Sequence, residues 1–193
     1  MKKLLALILI CIMAIGTLSA CSNPDSNESV PDGEKSLTVS TLGDLTAFTT
    51  RDMNGAEVTQ DILKDYDVTM VNVWTTWCDF CVKEMPAIAK LKEKVPSNTT
   101  VITICADGKE AKELANRILS DSKATFQTLV PSETLNKKLL KNIWGYPTTF
   151  FVDKTGKVVG DIMENVPSDK EDEIIDAYLK KINIALKEVE GKK

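Results

Sequence analysis

The sequence predicts an α/β domain: a central mixed β-sheet with helices on both faces, preceded by a β-rich N-terminal extension. Three observations carry this. Val68 to Trp74 and Thr99 to Cys105 are nearly continuous apolar runs of strand length, as expected of strands covered on both faces. Between and after them, apolar residues recur at three- and four-residue intervals, the helical period. The chain then closes on two strands, 148–152 and 157–162, joined by the turn-forming Asp153-Lys154-Thr155-Gly156 and followed by a long amphipathic helix.

Taken in order, residues 1–20 combine the basic Lys2 and Lys3, an apolar run from Leu4 to Leu18 and small residues before Cys21, the pattern of an export signal. The run is shorter than the roughly 20 apolar residues that span a bilayer. Leu18-Ser19-Ala20-Cys21 resembles the bacterial lipobox, which makes Cys21 a candidate lipidation site, and residues 21–36 read as a flexible tether rich in Ser, Asn, Asp and Pro. The folded domain is assigned to residues 37–193. Within it, a helix should open beside Cys78 and Cys81 with Val82, Met85, Ile88 and Ala89 inward and a kink at Pro86. A second helix should be capped by Asp107 with Glu110 and carry Ala111, Leu114, Ala115 and Ile118 on its stripe. Phe126 to Val130 reads as a short strand and Leu135, Leu139 and Ile143 as a short helix. Ser168 and Glu171 read as the capping box of the terminal helix, which runs through Ile174, Ile175, Tyr178, Leu179, Ile182 and Leu186.

Composition narrows the chemistry. Hydrophobic content of 43% with 27% charged residues suits a globular chain, and a net charge of −4 argues against nucleic acid as a partner. The chain has no histidine, which removes the usual general base and the commonest zinc and haem ligand. Attention falls on Trp77-Cys78-Asp79-Phe80-Cys81. Haem attachment fails because Val82, not histidine, follows the pair. Zinc lacks its ligands, since Cys105 is the only other cysteine in the expected fold, so no metal and no organic cofactor is expected. A passive structural bridge would close a loop too short to remove much chain entropy. A redox couple fits better. At a helix N-terminus, unpaired N–H groups and the helix dipole favour thiolate on Cys78, with Cys81 three residues on and on the same side.

With the Cys-x-x-Cys after a strand ending in Trp74, and Gly145-Tyr146-Pro147-Thr148-Thr149-Phe150 downstream, the chain resembles the thioredoxin superfamily, in particular the exported TlpA/ResA-like thiol-disulfide oxidoreductases. The resemblance covers roughly residues 37–187 and implies a thioredoxin-like fold. It implies that Pro147 is a cis-proline facing the disulfide, that the Tyr146 backbone pairs with a bound substrate strand, and that Cys78 attacks while Cys81 resolves. It further implies disulfide-containing client proteins of the envelope and a membrane thiol-electron donor of the CcdA/DsbD kind. The protein is then expected to be a monomer, anchored by lipid to the outer face of the cytoplasmic membrane.

Two departures from the family pattern stand out. Phe80 replaces a frequent proline, and Asn72 stands where thioredoxin has a buried aspartate. Asn72 cannot act as a base, which leaves Asp79 as the nearest carboxylate in sequence to Cys81, a water relay as another route, and a plain solvated first-turn acid as the bland reading of Asp79. Glu84 matches the family pattern but is given no role. Trp74 reads as core, Trp77 as a partly exposed substrate-facing aromatic, Trp144 as a surface aromatic and Cys105 as an inert small hydrophobe. Asp79 beside Cys78 disfavours the thiolate, which points to a reductase rather than an oxidase. The alternatives are a thiol peroxidase of the peroxiredoxin-related group, in which Thr75 holds the expected threonine position but Val71 replaces the upstream proline, and a non-enzymatic lipoprotein that binds partners on the same scaffold.

Overall fold

The computed structural model describes residues 37–192; the expected leader, tether and Cys21 lie outside the described residues. A five-stranded sheet of order β5-β4-β3-β6-β7 organises the domain. β3 (Val68–Trp74) is central and pairs in parallel with β4 (Thr99–Cys105), which pairs in parallel with β5 (Gln127–Leu129). On its other side β3 pairs antiparallel with β6 (Thr148–Asp153), which turns back into β7 (Val158–Met163). Ahead of the sheet come a short helix α1 (Val39–Leu42) and a hairpin of β1 (Thr49–Arg51) and β2 (Glu57–Thr59), tied to β5 by an Asp52–Leu129 bridge.

The sheet divides the core by side-chain parity. Val71 and Val73, with Ile102, Ile104, Phe150 and Val152, pack under Leu42, Leu45, Leu135 and Leu139. Met70 and Trp74 face the opposite way, onto α2 (Asp79–Lys94) and α5 (Glu171–Glu190) through Met85, Ile88, Tyr178 and Ile182. Asn72 shares the parity of Met70 and Trp74 and interrupts that face with a fully buried amide.

Several local expectations change in three dimensions. Pro86 sits inside α2, which continues to Lys94. α3 (Lys112–Asp121) begins after Ala111 with no side-chain cap, because Asp107 is engaged elsewhere, and Leu114 is exposed. The short helix is split into α4 (Glu133–Lys138) and a tight turn at Leu140–Asn142. Ser168 does not cap α5 either: its hydroxyl donates to Glu173 Oε2, and Lys170 occupies the cap position. The hairpin turn follows the sequence signal, with Asp153 Oδ1 accepting from the Thr155 and Lys157 N–H groups and Gly156 at φ +84°.

Candidate active site

β3 ends at Trp74, and the Thr75–Trp77 loop leads straight into α2, so the first turn of that helix projects beyond the end of the sheet. Cys78 is the cap residue of α2, with its Sγ accepting from Cys81 N–H at 3.2 Å. The two cysteines are joined in a disulfide with Cα atoms 5.2 Å apart. Cys78 keeps a sliver of exposure at 7% and Cys81 none. That asymmetry follows from helix geometry: the cap residue lies beyond the packed turn, whereas Cys81 lies on the stripe continued by Met85 and Ile88.

The loop before β6 closes over the pair. Tyr146–Pro147 is a cis peptide, Cys78 Sγ lies 3.5 Å from Tyr146 O, and the Trp77 ring meets the Tyr146 ring edge-on at 5.7 Å. The expected residues Cys78, Cys81, Trp77, Tyr146 and Pro147 thus come together. Trp77 is more open than expected, at 69%. Phe80 and Trp144 are also exposed, and Lys83 Nζ lies 5.9 Å over the Phe80 ring. Asp79 is exposed on the outer side of the first turn.

Asp107, expected to cap α3, instead reaches across from the end of β4. It accepts from Thr76 N–H at 3.0 and 3.2 Å, from the Thr76 hydroxyl at 2.5 Å and from Cys105 Sγ at 3.3 Å. It pins the loop that carries Trp77 and Cys78. Burial and the nearby Asp107 carboxylate hold the Cys105 thiol protonated, far above the ordinary thiol range. Burial, with a smaller contribution from Asp107, also raises the Tyr146 phenol.

One residue left without a role in the sequence is a buried, doubly hydrogen-bonded carboxylate. Glu84 is fully buried one turn after Cys81, on the same side of α2. Its Oε1 accepts from Asn72 Nδ2 at 2.9 Å and its Oε2 from the Tyr178 hydroxyl at 2.8 Å. Asn72 Nδ2 also donates to Thr149 Oγ1 at 3.0 Å, across the β3–β6 register. Burial pushes Glu84 up to about 7, against the two hydrogen bonds that favour its charged form. The signal was present in the sequence. Cys81, Glu84, Met85 and Ile88 form an i, i+3, i+4, i+7 series, so Glu84 is a carboxylate inside an apolar stripe. Glu84 also borders a cleft of about 360 Å³ lined by Phe80, Lys83, Val166, Ser168, Asp169 and Ile174. Among the described residues no cluster of Cys, Asp and Glu could hold a metal ion.

The arrangement is a bridged thiol pair, one member slightly open to solvent, with a buried carboxyl of near-neutral affinity for protons on the same helix face as the other. Comparisons with known proteins find relatives named for thiol-disulfide chemistry. A family model described as Redoxin matches residues 26–179. The thioredoxin-like protein YneN of Bacillus subtilis is 32% identical over 103 residues, covering 53% of this chain and 59% of its own. The thiol-disulfide oxidoreductase ResA of Bacillus cereus is 29% identical over 137 residues, covering 70% and 74%. Among solved structures, a thioredoxin-family thiol:disulfide interchange protein of Chlorobium tepidum superposes with a TM-score of 0.59 over 75% of this chain and 97% of its own, at 18% identity, which speaks to the fold alone.

Proposed function

The chain belongs to the Redoxin family, and on that premise we propose that it is an extracytoplasmic thiol-disulfide oxidoreductase that reduces disulfides of envelope proteins by exchange at Cys78 and Cys81. The observation that carries the reading is the bridged pair itself, with Cys78 at the head of α2 and Cys81 buried behind it. In the reduced protein, the helix terminus favours thiolate on Cys78, which attacks one sulfur of a client disulfide and releases the other as thiolate. The client segment lies along the Tyr146 backbone, with Trp77 beside it. Glu84 then takes the Cys81 proton, and the Cys81 thiolate attacks Cys78. The Cys78–client bond breaks as the Cys78–Cys81 bond forms, the second client sulfur leaves as thiolate and is protonated from solvent, and two electrons have passed to the client. The cleft beside Phe80 gives the Glu84 proton a way to water. Asp79, on the exposed side, acts on Cys78 through its charge and takes no part in the transfer.

Recharging the pair requires another dithiol, and a membrane donor of the CcdA/DsbD kind fits the chemistry. The lipobox-like Cys21 and the tether after it support anchoring at the membrane surface, where such a donor is within reach. No helix among the described residues is long and apolar enough to cross a membrane.

A Cys81→Ser variant expressed in cells tests the reading. It should accumulate mixed disulfides through Cys78 that dissolve on reduction, while a Cys78→Ser variant should accumulate none. Equal trapping by both variants, or by neither, contradicts it.

A further inference from the structure

We infer that Tyr178 is a positioning residue of the resolving half-reaction: its hydroxyl, together with the Asn72 amide, fixes the Glu84 carboxylate in the orientation from which it accepts the Cys81 proton. The inference deepens the exchange reading and rests on it. Tyr178 stands in the middle of α5, fully buried, with its ring in the core shared with Met85 and Ile88. Packing alone would be served by phenylalanine. A buried hydroxyl has to find an acceptor, and this one meets Glu84 Oε2 at 2.8 Å with Thr149 Oγ1 at 3.4 Å. Since Asn72 holds Oε1, each carboxylate oxygen has one donor, and the two donors come from different elements, β3 and α5. A carboxylate with a single donor could swing about its terminal torsion; one held at both oxygens cannot.

The same cage serves the protonated state. Asn72 Oδ1 is buried without a hydrogen-bond partner among the described residues. Once Glu84 carries the proton it becomes a donor, and rotation of the Asn72 amide supplies the acceptor. The groups hydrogen-bonded to Glu84 are the Tyr178 hydroxyl from α5 and the uncharged Asn72 from β3; Thr149 from β6 bonds to both of these, and Cys81 lies one turn before Glu84 on its own helix. Lys83 and Asp169 border the adjoining cleft. Tyr178 is therefore the titratable side chain in direct contact with the carboxyl, and it stays neutral, held by burial and by Glu84 well above the usual phenol range. Its hydrogen bond favours the charged form of Glu84, so removing the hydroxyl raises the proton affinity of Glu84 and moves the onset of Cys81 deprotonation to higher pH.

The test is a stopped-flow titration of the full, reduced chain with a chromogenic aromatic disulfide. The first aromatic thiolate is released as Cys78 attacks and the second as Cys81 resolves the mixed disulfide. In the wild type the second phase should accelerate through an inflection that Glu84→Gln abolishes. Tyr178→Phe should move that inflection upward by about half a pH unit or more, the size of one ordinary hydrogen bond, and leave the first phase unmoved. In the Glu84→Gln background Tyr178→Phe should change nothing further. Fluorotyrosine at the same position, a stronger donor on an unchanged ring, should move the inflection down, which covers the case of a poorly folding Tyr178→Phe. An inflection that Glu84→Gln removes but neither Tyr178 change moves overturns the inference and spares the role of Glu84. An inflection that survives Glu84→Gln overturns both of those claims. Release of only one thiolate by the wild type is the separate outcome that overturns the exchange reading itself.

Discussion

Cys78 and Cys81 differ in one physical respect that labelling can read: the first touches solvent and the second does not. Limited alkylation of the reduced chain should therefore modify Cys78 well before Cys81, with Cys105 silent because its thiol is buried and held protonated. Peptide mapping checks this, and early labelling of Cys81 would contradict the assignment of roles. Glu84 makes a thermodynamic prediction. Its carboxyl is raised from 4.5 to about 7 in the folded protein, so the native state holds a proton that the unfolded chain gives up sooner. The stability linked to that proton is fully present below pH 4.5, falls as pH rises, and is gone above about 7. Relative to Glu84→Gln, the oxidised wild type should lose stability across that window, by at most about 3.5 kcal/mol at roughly 1.4 kcal/mol per unit; urea unfolding at several pH values measures it. The cysteines were legible in the sequence because two thiols at fixed spacing after a strand have few meanings. Glu84 was legible only as a carboxylate inside an apolar stripe; its partners were not, because α5 and β3 bring them to it and Tyr178 lies far along the chain.

Elements defined by their own side chains were read correctly, and those defined by distant partners were not. β3 and β4 were legible to the residue because a run buried on both faces has sharp ends. Asp107 and Ser168 both looked like helix caps, yet each hydrogen-bonds elsewhere: Asp107 to the loop before α2, Ser168 to Glu173. A local pattern records that a residue can cap, not whether a long-range donor outbids the helix. Asp107→Ala should leave the Thr76 N–H without its acceptor and cost about 1–3 kcal/mol, and it should slow exchange by loosening the loop that bears Cys78; denaturant unfolding and an insulin-reduction assay check the two effects. The β6–β7 turn carries a second element-scale test. Gly156 has φ +84°, and a Cβ there would stand 2.3 Å from Leu45 O. Gly156→Ala should cost more than about 1 kcal/mol, because it both strains the turn and pushes away the segment after α1. A thermal midpoint equal to the wild type would contradict that packing.

At the scale of the whole molecule, the alternation of apolar runs with helical stripes predicted the order of the domain's elements, since a sheet covered on both faces admits few other arrangements. The split of the N-terminal extension into a short helix and a hairpin was not legible, because segments that short carry little periodicity. The expected anchor makes its own prediction: a Cys21→Ala variant should appear in the soluble extracytoplasmic fraction, while retention in the membrane would count against the lipobox. The central claim is that Cys78 and Cys81 form a reversible couple poised to reduce. Asp79 lies exposed at the first turn of α2, next to Cys78 in sequence; a carboxylate close to a thiol is expected to disfavour the thiolate and so to favour the disulfide. Equilibration of the purified chain against glutathione and dithiothreitol buffers, read by mass spectrometry of the two cysteines, tests the claim most directly. The account predicts a single two-electron transition confined to Cys78 and Cys81, with a potential nearer to about −270 mV than to about −120 mV; a potential above about −180 mV, or a pair that fails to equilibrate, would contradict it.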